Sequence, residues 1–148
     1  MAKFYTQLDD SLKEFIDQQH IFFTGSAPAT GRINISPKGL DCQQILNNNS
    51  VAYLDLTGSG NETSAHVLEN QRLTLMFCSF SAQPLILRLY GKGHVLLPSD
   101  KRWNSMVNRF PHYPGIRQII ELNIDSVQTS CGFGVPSYDF KGHRETLP

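Results

Sequence analysis

Hydrophobic positions near the N-terminus recur with a helical period. In DDSLKEFIDQQH (9–20), Leu12, Phe15 and Ile16 fall on one face, and Asp9 and Asp10 stand where they favour a helix N-terminus. The period then shortens to two. IFFTGSA (21–27) is expected as a strand ending in a small-residue turn. RINISP (32–37) alternates, with Ile33 and Ile35 on one side and Arg32, Asn34 and Ser36 on the other, the mark of a half-buried strand. PKG (37–39) is a turn, and LDCQQILNNNS reads as irregular chain or a short helix with an Asn-rich end.

VAYLDL (51–56) and RLTLMFCSF (72–80) predict strands on either side of a helix, SAHVLEN (64–70). LILRLYGKGHVLL (85–97) predicts a long strand in which Gly91 and Gly93 mark a bulge or bend. SDKRWNSMVNRF (99–110) predicts a helix with Ser99 as its N-cap, and PHYPG breaks it. IIELNIDSVQTS (119–130) is the last expected strand, and the Gly- and Pro-rich tail is expected as coil. The pattern holds no internal repeat. Six strands with irregularly placed helices argue for one domain over residues 1–148, mainly β. The expected fold is a six-stranded antiparallel barrel with a few peripheral helices, not an alternating βαβ sheet.

Composition narrows the function classes. The 148 residues carry 13 basic and 13 acidic side chains, a formal net charge of zero. A neutral chain lacks the basic face that phosphate-backbone affinity needs, so nucleic acid is not an expected partner. No apolar run approaches a membrane span, and MAKFYTQLDD lacks the apolar stretch of a signal peptide. Cys42, Cys78 and Cys131 are odd in number and far apart, which indicates neither a disulfide framework nor a CxxC metal site. Free thiols suit a reducing cytoplasm. The five histidines show no HxxxH or HExxH spacing, so no metal site is expected.

The candidate chemistry lies in YLDLTGSGNET (53–63), a strand that breaks into a glycine-rich loop before a helix. Glycines let backbone approach an anion, and N–H groups at a helix N-terminus attract negative charge. Thr57, Ser59, Asn61 and Thr63 add neutral donors, but the loop has no Lys or Arg and is not a Walker motif. Two readings stand: an anion cradle, or a tight turn with Asn61 or Thr63 capping the helix. The missing charge has a source on the alternating strand, where Arg32 leads and Lys38 follows. The alternative there is an ordinary solvent-facing strand edge.

Taken in order, GSAPATGRINISPKGLD, VAYLDLTGSGNETSAHVLEN, LTLMFC, LILRLYGKGHV and SCGFGVP resemble the FMN-binding split-barrel family related to pyridoxamine 5′-phosphate oxidase. The resemblance runs from about residue 15 to residue 136. It implies a six-stranded antiparallel split barrel, a homodimer with FMN at the subunit interface, and flavin-dependent oxidoreductase chemistry on a small molecule. A flavin-binding carrier or sensor, or a heme- or deazaflavin-binding relative, are the alternatives on the same fold. The implied cofactor contacts are Arg32, Ile33, Asn34, Ile35, Ser36 and Lys38 along the flavin, with Thr57, Asn61, Glu62 and Thr63 towards its phosphate.

Three departures mark this chain within the resemblance. An Arg-Lys pair of the oxidases is replaced by Glu62-Thr63, so the resemblance implies that Thr63, Asn61 and loop N–H groups hydrogen-bond the phosphate with Arg32 as its main cation, and Glu62 is expected to turn away, offer its backbone N–H or pair with a cation. A glutamine near the flavin ring is replaced by Ile86, with Arg88 two residues on as a polar substitute. The C-terminal Arg-x-His element is replaced by GHRETLP, in which His143 and Arg144 are adjacent. FMN binding therefore transfers and pyridoxamine phosphate oxidation does not. His94 and His143 are candidates only if the ligand is heme. Trp103, Phe110 and Tyr113 are read as a lid, a dimer contact or core, and Cys131 as a small buried thiol or one near a flavin.

Overall fold

The computed structural model describes residues 2–145. In chain order the elements are β1 (Lys3–Tyr5), α1 (Asp10–Asp17), β2 (Phe22–Ser26), β3 (Asn34–Lys38), β4 (Gln43–Asn47) and β5 (Ser50–Leu56). They continue with α2 (Glu62–Asn70), β6 (Arg72–Cys78), β7 (Ile86–Leu96), α3 (Trp103–Val107) and β8 (Ile116–Ser130). The strands form one eight-stranded sheet in the order β3-β2-β6-β7-β8-β5-β4, with β1 added to the far end of β8. Every pairing is antiparallel.

The sheet curls because its two ends meet. β3 and β5 lie near opposite ends of the strand order, yet Lys38 Nζ of β3 is 3.1 Å from Asp55 Oδ1 of β5. Phe22 of β2 packs against both Tyr53 of β5 and Phe77 of β6. The result is a mainly β half-barrel open along a seam, with its core between the curled faces. Leu54, Leu75, Leu87, Leu89, Ile120 and Leu122 fill that core at 1% exposure or less. α1 seats Leu12 and Ile16 on it, with the Asp9 carboxylate capping the Leu12 N–H at 2.9 Å.

Most expected elements are present, and the differences have local causes. β1 and β4 raise the strand count from six to eight. β1 is three exposed residues that only pairing with β8 reveals, and β4 is half-buried from Gln43 to Leu46 and exposed at Asn47, so neither carries a period. The expected helix over 99–110 shrinks to Trp103–Val107. Ser99 caps nothing there; instead Asp100 accepts from the Leu97 N–H and closes a turn. β3 keeps its alternation but inverts the expected orientation. Ile33 and Ile35 are about 70% exposed (73% and 69%), while Asn34 and Ser36 face inward and are half-buried. Trp103, Phe110 and Tyr113 pack on the core. Cys131 is exposed rather than buried. No helix among the described residues is long and apolar enough to cross a membrane.

Candidate functional site

The seam of the half-barrel widens into a cleft of about 350 Å³. Its walls are Ser36 and Lys38 from β3, Asp55 from β5, the loop residues Gly58–Asn61, the first turn of α2 and Arg117 of β8. Asp55 is the hub. It closes a run of buried residues on β5, and a carboxylate there requires partners. Lys38 Nζ meets one oxygen at 3.1 Å. Arg117 Nη2 at 2.7 Å and Gln118 Nε2 at 2.6 Å donate to the other. Burial pushes the Asp55 carboxyl up, but hydrogen bonds from Arg117 and Gln118 and the charge of Lys38 outweigh it and hold it below the ordinary carboxylate range.

A bulge makes this convergence possible. Asp55 pairs with Gln118 and Leu56 with Ile116, which leaves Arg117 as the extra residue on β8. In a regular strand Arg117 and Gln118 would point to opposite faces. Here both reach Asp55. Arg117 also donates to the Gly60 carbonyl at 2.9 Å, and Gln118 Nε2 to Asn61 Oδ1 at 2.8 Å. The same side chains therefore fix the acidic hub and the glycine loop.

The loop delivers the N-terminus of α2 to the cleft. Asn61 occupies the N-cap position but makes no capping bond with its side chain. Thr63 does not cap either; its hydroxyl accepts from Asn34 Nδ2 at 3.1 Å. The first-turn N–H groups thus lack intrahelical partners and lie along the cleft wall. Of the two sequence readings, capping of the helix by Asn61 or Thr63 is replaced by an uncapped helix start.

Of the residues expected from the sequence, Ser36, Lys38, Asn61, Glu62 and Thr63 line this cleft, and Asn34 joins it through Thr63. Thr57 stands behind the loop, donating to the Gly115 carbonyl at 2.9 Å. Arg32 is exposed just before β3 and outside the lining. Ile33 and Ile35 line a separate cleft of about 400 Å³ with Leu73 and Tyr90. Ile86 is half-buried, and Arg88 bonds Ser130 at 3.3 Å, away from the first cleft. Glu62 forms no ion pair among the described residues; its side chain folds over Gly60.

Sequence reasoning missed Asp55, Ser64, Arg117 and Gln118. The available signal was the lone carboxylate in VAYLDL, since a charge in a buried strand implies a nearby cation. A phosphate ester fits the donor set. Two cations, loop and helix N–H groups, and the hydroxyls of Ser36 and Ser59 line one space, set against the buried charge of Asp55 and the carboxylate of Glu62, which folds over Gly60.

Residues 8–131 match the family described as Pyridoxamine 5′-phosphate oxidase. The chain is 46% identical over 151 residues to "Pyridoxamine 5′-phosphate oxidase family protein ustO" of Aspergillus flavus, an alignment covering 99% of this chain and 61% of that protein. The chain therefore spans about three-fifths of the curated relative it matches. Solved structures share the fold, among them two whose names give a cofactor. One is the FAD binding protein of Mycobacterium smegmatis, with a TM-score of 0.61 and 10% identity over 85% of this chain and 97% of that one. The other is HutZ, a heme storage protein of Vibrio cholerae, with a TM-score of 0.59 and 14% identity over 86% and 98%. Sequence match and curled sheet lead to the same conclusion: this chain belongs to the pyridoxamine 5′-phosphate oxidase family.

Proposed function

We propose that the chain is an FMN-binding flavoprotein of the oxidoreductase class, acting in the cytoplasm as a homodimer with the flavin at the subunit interface. The observation that carries this reading is the pair of cations, Lys38 and Arg117, fastened to Asp55 on the wall of the glycine-loop cleft. Arg117 spends Nε and Nη2 on Asp55 and Gly60, so it would meet phosphate oxygens with its positive charge and its remaining N–H groups, and Lys38 with a point charge. Thr63, Ser59 and the N–H groups of the α2 start would complete the phosphate contacts. Asn34 and Ser36 would face the ring system, the strand backbone at Ile33 and Ile35 would run along it while their side chains point to the other face, and Arg32, exposed at the head of that strand, would reach the cofactor from outside the cleft. A bound flavin would supply the electron transfer, while these residues bind, orient and shield it. The family match and the FAD-binding protein of the same fold support a flavin.

The test compares FMN with riboflavin, which lacks the phosphate, by fluorescence titration of the purified chain. Arg117→Ala is expected to weaken FMN by about 2–3 kcal/mol and riboflavin by less than about 0.5 kcal/mol. The same comparison with Arg32→Ala measures whether that residue contributes. Absence of saturable FMN binding by the unaltered chain, or equal losses for both flavins, would overturn the reading. A Soret band in the isolated protein would replace flavin with heme.

A further inference from the structure

Three potential ligands from distant parts of the chain meet outside the flavin cleft. His20 lies between α1 and β2, Asp41 in the β3–β4 turn, and His143 in the C-terminal tail. Their ligating atoms all lie within 4.8 Å of one another, and His143 Nε2 is 3.5 Å from Asp41 Oδ1. Among the described residues, no other group of histidines, cysteines and carboxylates converges in this way.

Each of the three is positioned by contacts of its own. Leu40 and Asp41 adopt left-handed backbone, with φ of 64° and 50°. This conformation costs about 1–2 kcal/mol per residue, and the Tyr113 hydroxyl holds the turn by donating to the Leu40 carbonyl. Phe140 stacks flat on His20, with ring centroids 3.7 Å apart and planes 11° from parallel. The tail is tied upstream by the Tyr138 N–H, which donates to the Phe80 carbonyl at 2.9 Å, and by packing of the Tyr138 and Phe80 rings. A Gly-rich tail without regular structure is therefore fixed where it brings His143 to Asp41. His20 is exposed, and its imidazole makes no hydrogen bond among the described residues.

We infer that His20, Asp41 and His143 form a binding site for a divalent transition-metal ion of the zinc class. Two imidazoles and one carboxylate suit zinc and its neighbours; magnesium and calcium prefer all-oxygen sets, and copper(I) prefers sulfur. In a tetrahedral zinc site the ligand atoms stand about 3.4 Å apart. Asp41 and His143 are already at that spacing. The wider separations close by about 1–1.5 Å through rotation of exposed side chains. Three protein ligands leave a fourth position for water, facing a groove of about 520 Å³ lined by Lys38, Leu40, Phe140 and Arg144. The ion pins the tail to the turn that follows β3.

The full chain, stripped with a chelator and dialysed, is titrated with Zn²⁺ alone by calorimetry. One equivalent per chain is expected, with a Kd tighter than about 100 µM. His20→Ala, Asp41→Ala and His143→Ala should each weaken binding at least about tenfold, while His112→Ala should not change it. Because the three side chains are exposed, the variants should keep the parent's circular dichroism. Cobalt(II) should give the intense visible bands of a tetrahedral site, and Zn²⁺ should slow proteolysis after residue 136 in the parent only. Binding weaker than about 1 mM, or one equivalent that survives His20→Ala combined with His143→Ala, overturns the inference. Flavin titration is independent of each of these readouts.

Discussion

Asp55 ends a run of buried residues, Ser50–Asp55, yet its carboxylate is charged and shared by Lys38, Arg117 and Gln118. Removing it strands two cations that are themselves only about a quarter exposed (23% and 26%). Asp55→Ala is therefore expected to cost about 2–4 kcal/mol of stability at neutral pH, measured by urea denaturation. The sign of the pH effect follows from the depressed pKa. The folded carboxyl titrates below the unfolded one, whose ordinary value is 3.8. Its contribution is complete above about pH 4–5 and is lost as pH falls through the folded value. The gap between parent and Asp55→Ala should accordingly stay constant from pH 7 to 5 and shrink below pH 4. A gap that instead widened on acidification would mean that the cations do not hold the charged form. The thiols behave differently: burial pushes Cys42 up to about 12, which leaves it inert, while Cys131 is exposed.

Two bulges on β8 carry the geometry at the scale of elements. One, between Tyr90 and Gly91, leaves Asp125 as the extra residue on β8. A Cβ at Gly91 would overlap the Asn123 carbonyl oxygen and lie 2.9 Å from its carbon, both backbone atoms that cannot step aside. Gly91→Ala is expected to destabilise by about 3 kcal/mol or more, whereas Gly134→Ala, with open space around it, should change thermal stability by less than about 0.5 kcal/mol. This bulge was legible in the sequence because two glycines interrupted a long apolar strand. The other, which leaves Arg117 as the extra residue on β8, was not. No glycine marks it, and alternation alone sends Arg117 and Gln118 to opposite faces. β3 shows the converse limit: its period was readable, but which face is buried depends on its edge position and on Thr63, far along the chain. Likewise Asn61 reads as a cap in isolation and is diverted by Gln118, a partner that only the folded register supplies.

At the scale of the molecule, β3 is an edge strand that turns Ile35 outward, and Ile33 just before it is exposed beside it. Together with Leu73 and Tyr90 they form an apolar groove on a face away from the seam. Exposed edges of this kind invite pairing or coverage, which is why the proposed homodimer is placed on this face. Ile35→Glu should weaken association at least about tenfold, because in a two-fold interface the new charge is introduced twice. Light scattering after size exclusion, over a range of concentrations, checks this; an unchanged oligomer would move the interface elsewhere. The curled sheet also has a thermodynamic consequence for whatever anion enters the seam. Asp55 keeps Lys38 and Arg117 stationed before a ligand arrives, so their rotamer entropy is surrendered during folding and not at binding. With ordering of each such side chain worth about 0.5–1.5 kcal/mol, the buried carboxylate would work as an internal stand-in for the proposed phosphate. It would trade some of the site's positive potential for a receptor that is already in shape.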